Sequence, residues 1–322
     1  MPEVLLNNEW SFTVPTGSSI LDAGLKAGIA LDYSCRSGRC GKCQAVVVSG
    51  ETHLLQPEFL KLSQETILTC VRGTDIDIQL QADLRDLQQI HLVQLVPARI
   101  NTLVFLNEHM LRVELRMPPQ AKFTFSPGQY ISISRVSLAK RHYSVLYSSQ
   151  PNKLELLIAQ VDAGLMSAYW FNQARVDDLL MLEGPYGTFC LQTKHPATKW
   201  LFIASGSGIA PIYALLQQLR KHPEPTGPIR LIWGVRHTRD LCLDLDGLVD
   251  EFIPVLSQPE SSWTGRCGHV QDILQEMNDI EGAQAYVCGS LAMVQDVEHY
   301  LLSKPNIKVW SDIFVASGGT NL

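Results

Sequence analysis

Residues 33–43 read YSCRSGRCGKC: three cysteines, Cys35, Cys40 and Cys43, crowded among glycines and cations. What such thiols do depends first on their redox setting. The N-terminus has no basic region followed by an apolar run and a small-residue cleavage site, and no apolar stretch approaches the ~18–20 residues that cross a bilayer. A cytoplasmic chain with no membrane partner is expected. Its eight cysteines are then reduced thiols, metal ligands or catalytic groups rather than a disulfide framework. With 322 residues, 46% hydrophobic and 18% charged, the chain suits two or three globular domains. A net charge of −6 argues against nucleic acid, which calls for a basic excess or stripe. The acidity is uneven, because residues 1–93 hold 7 Lys and Arg against 11 Asp and Glu, a net −4, leaving −2 for the remainder.

Ahead of the cysteine loop, VLLNNEWSFTVP predicts a hairpin turning at Asn7 and Asn8. A short helix follows, with Ser18 or Ser19 as its cap and Gly28 at its end. Beyond the loop, QAVVVSGE predicts a strand, ILTC ends in Cys70, and DIDIQL alternates as an edge strand does. The four cysteines of this module are thus spaced Cys35-x4-Cys40-x2-Cys43-x26-Cys70, which resembles the plant-type ferredoxin motif for a 2Fe–2S cluster. Four thiolates on a bridged pair of ferric ions need a loop that wraps the cluster. Gly38 and Gly41 let backbone N–H groups approach the sulfides and tolerate positive φ. A structural zinc site and buried free thiols are the competing readings; zinc usually draws on two short knuckles, and only Cys40 and Cys43 form one. The alternation lapses in QADLRDLQQIHL and a new β pattern begins in VPARINTLVFL, which sets a boundary near Val93.

In the next module GQYISISR, RHYSVLYSS and LELLIAQV predict strands of an antiparallel barrel. Arg141-His142-Tyr143-Ser144 is similar to the R-x-Y-S motif of ferredoxin–NADP reductase-like flavoproteins. That resemblance implies Arg141 on the flavin pyrophosphate, Tyr143 packed on the isoalloxazine, and Ser144 near its N5. A guanidinium suits phosphate and an aromatic ring suits a flat flavin. Gly164 to Ser167 resembles the family's G-x-x-S segment, whose helix N-terminus receives pyrophosphate oxygens, and LEGPYGTFCL resembles its closing strand and turn. Two positions depart from the family: Ala159-Gln160 stands where relatives often carry Arg or Lys, and Asp177 where they carry Gly.

KWLFIASGSGIAPIYALLQQLRK predicts strand, glycine turn and helix. Gly206 and Gly208 leave room for a phosphate, and Pro211 sits in the first helical turn, where no N–H is required. G-x-G-x-x-P differs from the Rossmann fingerprint and resembles the nicotinamide-nucleotide turn of the reductase family. PIRLIWGVRHTRDL ends where an adenosine ribose would lie, so Arg236 and His237 are either 2′-phosphate ligands or solvated polar residues. By resemblance Cys288 lies near the nicotinamide and flavin N5, and Phe314 is the C-terminal aromatic that covers the flavin face; a buried small thiol and a core Phe are the plainer readings. Cys190, Cys242 and Cys267 have no such setting.

In order the modules resemble iron–sulfur flavoprotein reductases of the ferredoxin–NAD(P)H reductase-like family. The resemblance implies a β-grasp 2Fe–2S ferredoxin domain over 1–93, an antiparallel β-barrel FAD domain over 94–195 and a parallel-sheet α/β NAD(P)-binding domain over 196–322. It favours FAD over FMN and NADH over NADPH. It also implies an NAD(P)H-dependent oxidoreductase that hands electrons through FAD to a cluster held by Cys35, Cys40, Cys43 and Cys70. LRMPPQAKFTFSPGQY, SSWTGRCGHV, YVCGSLAMV and SDIFV are most similar to family members that serve 3-deoxygenation in dideoxysugar synthesis. The implied electron acceptor is a pyridoxamine-dependent deoxysugar dehydratase, with a bacterial oxygenase component as the alternative. A non-enzymatic iron–sulfur sensor is the remaining contender, and it needs neither flavin nor nucleotide motifs.

Overall fold

The computed structural model describes residues 1–56, 65–85, 91–136, 138–148, 150–192, 198–221 and 227–315. They divide into two compact units, Met1–Ile90 with Gln192–Lys194 and His91–Leu191 with His195–Leu322. The expected boundary at 195/196 lies outside the described residues. Among the described residues no helix is long and apolar enough to cross a membrane, which says nothing of strands.

In the first unit β1 (Glu3–Leu6) and β2 (Trp10–Thr13) form the predicted hairpin. Asn7 and Asn8 both take positive φ, 54° and 59°, as a two-residue turn between twisted strands requires. Helix α1 (Ile20–Lys26) starts at Ser19, whose hydroxyl accepts from Asp22 N at 3.0 Å. Gly28 follows its end in the left-handed region at φ 81°. The remaining strands are β3 (Gln44–Ser49), β4 (His53–Leu54), β5 (Thr66–Leu68), β6 (Arg72–Gly73) and β7 (Ile78–Ala82). A five-stranded sheet runs β2-β1-β7-β3-β5, and β4 pairs with β6. DIDIQL does not form an edge: β7 lies inside the sheet, parallel to β1 and antiparallel to β3. Its alternation marks one covered face, with Ile78 and Leu80 buried and Gln81 exposed.

The second unit opens with β8 (Gln94–Asn107), β9 (Met110–Arg116), β10 (Tyr130–Arg135), β11 (Leu138–Tyr147) and β12 (Lys153–Ala159). Helix α2 (Leu165–Ala168) runs into a π-helical turn, Tyr169–Gln173, before β13 (Leu179–Tyr186). The six strands close an antiparallel barrel in the order β10-β11-β12-β9-β8-β13. Ile100, Val113, Leu115, Ile131, Val145 and Leu156 are wholly buried inside it, each contributing ~1.5–3 kcal/mol relative to exposure. Asp177 lies in the left-handed region that glycine adopts readily: its φ is 72°, its carboxylate pairs with Arg116, and its carbonyl accepts from Arg99 Nη1 at 2.6 Å. Aspartate tolerates this left-handed geometry better than most residues.

The unit continues with β14 (Trp200–Ser205), a 3₁₀ turn Gly206–Gly208, α3 (Ile209–Lys221), β15 (Ile229–Val235), β16 (Glu251–Leu256), β17 (Arg266–Cys267), α4 (Val270–Glu276), β18 (Gln284–Ser290), α5 (Leu291–Leu302) and β19 (Lys308–Phe314). All pairings are parallel, in the order β17-β16-β15-β14-β18-β19. The chain steps outward from β14 to one side and then returns to its other side, so the strand order reverses between β14 and β18. Open α/β sheets bind ligands beyond the carboxyl ends of the strands at such a reversal. Gly208 closes this point tightly, because a Cβ there would stand 2.4 Å from Cys288 O and 2.9 Å from Gly289 Cα. Gly208→Ala is therefore expected to cost about 1–3 kcal/mol of stability by overpacking; an unchanged denaturant midpoint would show that the turn has room to relax.

Candidate functional site

The cysteine loop is held by geometry that its glycines and one arginine make possible. Gly38 and Gly41 have φ of 70° and 77°, and Arg36 joins them at 56°. The Arg36 guanidinium pairs with Asp22, the residue whose N–H is capped by Ser19, so the first turn of α1 anchors the loop. Cys35 and Cys40 face one another, with Cys35 N 3.5 Å from Cys40 Sγ and Cys40 N 3.4 Å from Cys35 Sγ. Ser37 N adds a third contact at 3.4 Å from Cys35 Sγ. A hydrogen bond from Cys40 draws Cys35 toward thiolate, and one from Cys70 does the same for Cys43, while Cys40 and Cys70 hold their protons harder. Backbone N–H groups of Gly38, Arg39, Lys42 and Cys70 also aim at these sulfurs. The thiols thus form two pairs, 35 with 40 and 43 with 70, which is the donor set that two bridged irons take. Among the described residues no three His, Cys, Asp or Glu side chains gather as they would around a single ion.

Strand β11 carries Arg141, Tyr143 and Ser144. Arg141 and Tyr143 share one face, opposite Ile133 and Ile131 of β10. The Tyr143 hydroxyl accepts from Trp170 Nε1 at 2.9 Å, and the two rings cross at 88° with centroids 6.0 Å apart. Burial pushes the phenol up to about 12, against the hydrogen bond from Trp170 and the charge of Arg141; Tyr143 stays neutral across the physiological range. Ser144 is buried opposite Tyr130. Gly164 is the N-cap of α2, and Ser167 Oγ accepts from Val161 N at 2.8 Å, which leaves the Ser167 hydroxyl proton to donate. A guanidinium beside a fixed, half-buried aromatic ring suits the two ends of a flavin nucleotide.

At the reversal point of the parallel sheet, Gly206 has φ 52° and nothing within 4 Å of where its Cβ would stand. Its carbonyl accepts from Trp233 Nε1 at 3.0 Å, so the turn is fixed from below while its upper side is open. Pro211 is buried in the first turn of α3. Cys288, near the end of β18, lies directly beside this turn, and Ser290 registers with Phe314, the half-buried last residue of β19. The C-terminal edge therefore brings together Gly206, Gly208, Cys288 and Phe314. The Cys288 side chain itself is wholly buried, and burial, then the charge of Asp312, raises its thiol well above the ordinary range. Cys190 is pushed up to about 12 by the same two causes.

Three residues of the site went unread in the sequence. Trp170 lies in the π turn after G-x-x-S, and Trp233 lies within an apolar strand, where each reads as core. Asp312 carried a signal: a carboxylate in the middle of a buried strand, 4% exposed and registered with Cys288.

Three family models cover the chain: a 2Fe-2S iron-sulfur cluster binding domain at residues 4–72, an oxidoreductase FAD-binding domain at 97–190 and an oxidoreductase NAD-binding domain at 202–299. The CDP-6-deoxy-L-threo-D-glycero-4-hexulose-3-dehydrase reductase of Yersinia pestis is 30% identical over 95% of this chain and 96% of the relative. The xylene/toluene monooxygenase electron transfer component XylA of Pseudomonas putida is 31% identical over 91% of this chain and 87% of its own length. Among solved structures, a ferredoxin reductase in carbazole 1,9a-dioxygenase shares the fold with a TM-score of 0.73 over 98% of both chains at 24% identity. With cluster, flavin and nicotinamide domains matched in turn and relatives aligned nearly end to end, the chain belongs to the iron–sulfur flavoprotein reductases of the ferredoxin–NAD(P)H reductase family, and is an NAD(P)H-dependent electron-transfer enzyme.

Proposed function

We propose that the chain passes electrons from NAD(P)H through FAD and the 2Fe–2S cluster to a pyridoxamine-dependent dehydratase that removes the 3-hydroxyl of a CDP-deoxysugar. The observation that carries the acceptor is the end-to-end likeness to a hexulose-3-dehydrase reductase. The second reading, a bacterial oxygenase component, is favoured by the 31% identity to a xylene/toluene monooxygenase electron transfer component. We assign the domains to 1–93, 94–195 and 196–322.

In this reading Cys35 and Cys40 hold one iron and Cys43 and Cys70 the other. The N–H groups of Ser37, Gly38, Arg39 and Lys42 spread the negative charge of the sulfurs and so help to set the potential. Arg141 neutralises the flavin pyrophosphate, with Gly164 leaving it room and Ser167 donating a hydroxyl. Tyr143, locked by Trp170, offers its ring to the isoalloxazine; Ser144 lies at the reacting edge, and Phe314 closes the other face. Gly206, Gly208 and Pro211 form the turn that receives the nucleotide, and Cys288 packs beneath it. FAD, when bound, accepts two electrons as a hydride and releases them singly, and the cluster carries one at a time.

Purified anaerobically, the protein is expected to show flavin and thiolate-to-iron absorption that bleach in sequence on adding nicotinamide nucleotide. Cys40→Ser should keep flavin bleaching but lose electron transfer to cytochrome c; unchanged transfer would remove the cluster from the path. For Arg141→Ala, loss of a charge-assisted bond of about 1.5–3 kcal/mol predicts FAD affinity lower by about 10- to 100-fold, read from released flavin fluorescence. Product formation by a purified CDP-hexulose dehydratase, with this chain as the sole electron source, tests the acceptor. No product there, with turnover of an oxygenase component instead, would establish the second reading.

A further inference from the structure

The glycine turn that begins α3 has a freedom that its own residues do not restrain. Gly206 sits at φ 52°, outside the helical range that follows it, and a glycine has no Cβ to oppose rotation of the next peptide. Its carbonyl accepts from two donors. One is Ile209 N, which closes the 3₁₀ turn; the other is Trp233 Nε1 at 3.0 Å. Ile209 belongs to the helix that the turn itself starts. Trp233 belongs to β15, in register with Ala204 of β14, and so ties the turn to the sheet. Its side chain is wholly buried, where an N–H that lost its acceptor would find no water to replace it. The bond therefore holds the Gly206 carbonyl inward.

Fixing one end of a peptide fixes the other. Among the described residues the cis bond is Gly184–Pro185, so the Gly206–Ser207 peptide is trans and its N–H points opposite to its C=O. With the carbonyl held on Trp233, the Ser207 N–H is turned away from the core. It has no acceptor within the helix, as the first N–H groups of a helix do not, and no backbone acceptor elsewhere among the described residues. The turn is open to a ligand here: Gly206 is exposed, with nothing within 4 Å of where its Cβ would stand. Rotation of this one peptide would present a carbonyl oxygen in place of an N–H, and so repel the phosphate oxygens that the N–H attracts. We propose that Trp233 is a positioning residue for nucleotide binding, which keeps the Ser207 N–H facing the pyrophosphate of the nicotinamide nucleotide by holding the Gly206 carbonyl inward. This rests on the reading that the 206–208 turn receives that nucleotide. Being wholly buried, Trp233 acts through the peptide and not by touching the ligand.

The test removes the indole N–H and little else. In the full-length holoprotein, Trp233→Phe is compared with wild type and with benzothienylalanine at position 233, in which sulfur takes the place of the N–H at nearly the same shape. Calorimetry on the oxidised protein gives the Kd of NAD+ and of NADP+, and flavin bleaching gives KM and kcat for the reduced nucleotides. Loss of the hydrogen bond is expected to raise Kd and KM by about tenfold, with kcat moving far less. The rate with N-benzyl-dihydronicotinamide, a hydride donor that carries no phosphate, should respond far less than the rate with the nucleotide. An unchanged Kd in the benzothienylalanine variant overturns the assignment. So does an equal loss of rate with both hydride donors, which would mean that the indole supports the fold and not the direction of the peptide. Gly206→Asp tests the reading beneath it, because aspartate tolerates a left-handed backbone and sets a carboxylate against the phosphates. A raised Kd there, with no response to benzothienylalanine, sinks the role of Trp233 alone. No response to Gly206→Asp removes the nucleotide from the turn, and the assignment falls with it.

Discussion

Helix α3 is wedged between two sheets, and the chemistry of the second unit depends on that wedge. Ile212, Leu215 and Leu216 of α3 share one hydrophobic core with Leu146 of the barrel strand β11, Phe202 and Ala204 of β14, and Tyr286 and Cys288 of β18. The helix starts at the Gly206–Gly208 turn, and β11 carries Arg141, Tyr143 and Ser144. The residues that suit a nucleotide and those that suit a flavin are therefore fixed to one packed element rather than to independent loops. Close-packed cores transmit small displacements instead of absorbing them, so a substitution in this core reaches both motifs at once. Gly128 belongs to the same constraint: with φ 92°, a Cβ there would stand 1.9 Å from Phe189 O and 3.0 Å from Leu215 Cδ2.

The polar groups buried here are placed where they hold reactive elements still. Trp233 ties its indole N–H to the Gly206 carbonyl and Trp170 ties its own to the Tyr143 hydroxyl. Each satisfies a donor that would otherwise be costly to bury and at the same time fixes the geometry of its partner. The cysteine loop of the first unit uses backbone for the same purpose, turning N–H groups onto sulfur through left-handed residues. Thiols elsewhere are the opposite case. Cys190 and Cys288 lie beside buried Asp312, and low dielectric plus a neighbouring anion keeps both protonated and inert as nucleophiles. Cys288 is thus a wholly buried, protonated thiol beside the glycine turn.

Much of this was legible in the sequence, because the strongest signals were of fixed spacing. The four cysteines, the Asn7-Asn8 turn, the Ser19 cap and the glycine turn after β14 all follow from local stereochemistry, which tertiary context seldom overrides. DIDIQL misled for a definite reason: alternation reports that one face is covered, and is silent on whether a strand has one neighbour or two. Trp170 and Trp233 were hidden because their rings sit in the core as any tryptophan might, and only the direction of one N–H separates packing from positioning. Asp177 shows the converse. A residue that departs from the glycine expected by resemblance adopts a left-handed backbone and is stapled there by Arg99 and Arg116.

The acceptor was the least legible feature, and the physics accounts for that. Residues that identify the family are those that meet a cofactor of invariant shape, so their types and spacings are constrained. Recognition of a protein partner is spread over exposed side chains whose charges steer encounter and exclude wrong partners, and no fixed spacing is required of them. Around the cysteine loop Arg39 is exposed, and Lys42 and Arg36, the latter paired with Asp22, are partly so; residues 33–43 themselves hold no acidic residue. That local sign runs against the net −4 of residues 1–93. A hexulose-3-dehydrase reductase and a monooxygenase electron transfer component match this chain at 30% and 31% identity, as is expected where a shared cofactor scaffold, rather than a partner surface, constrains the sequence.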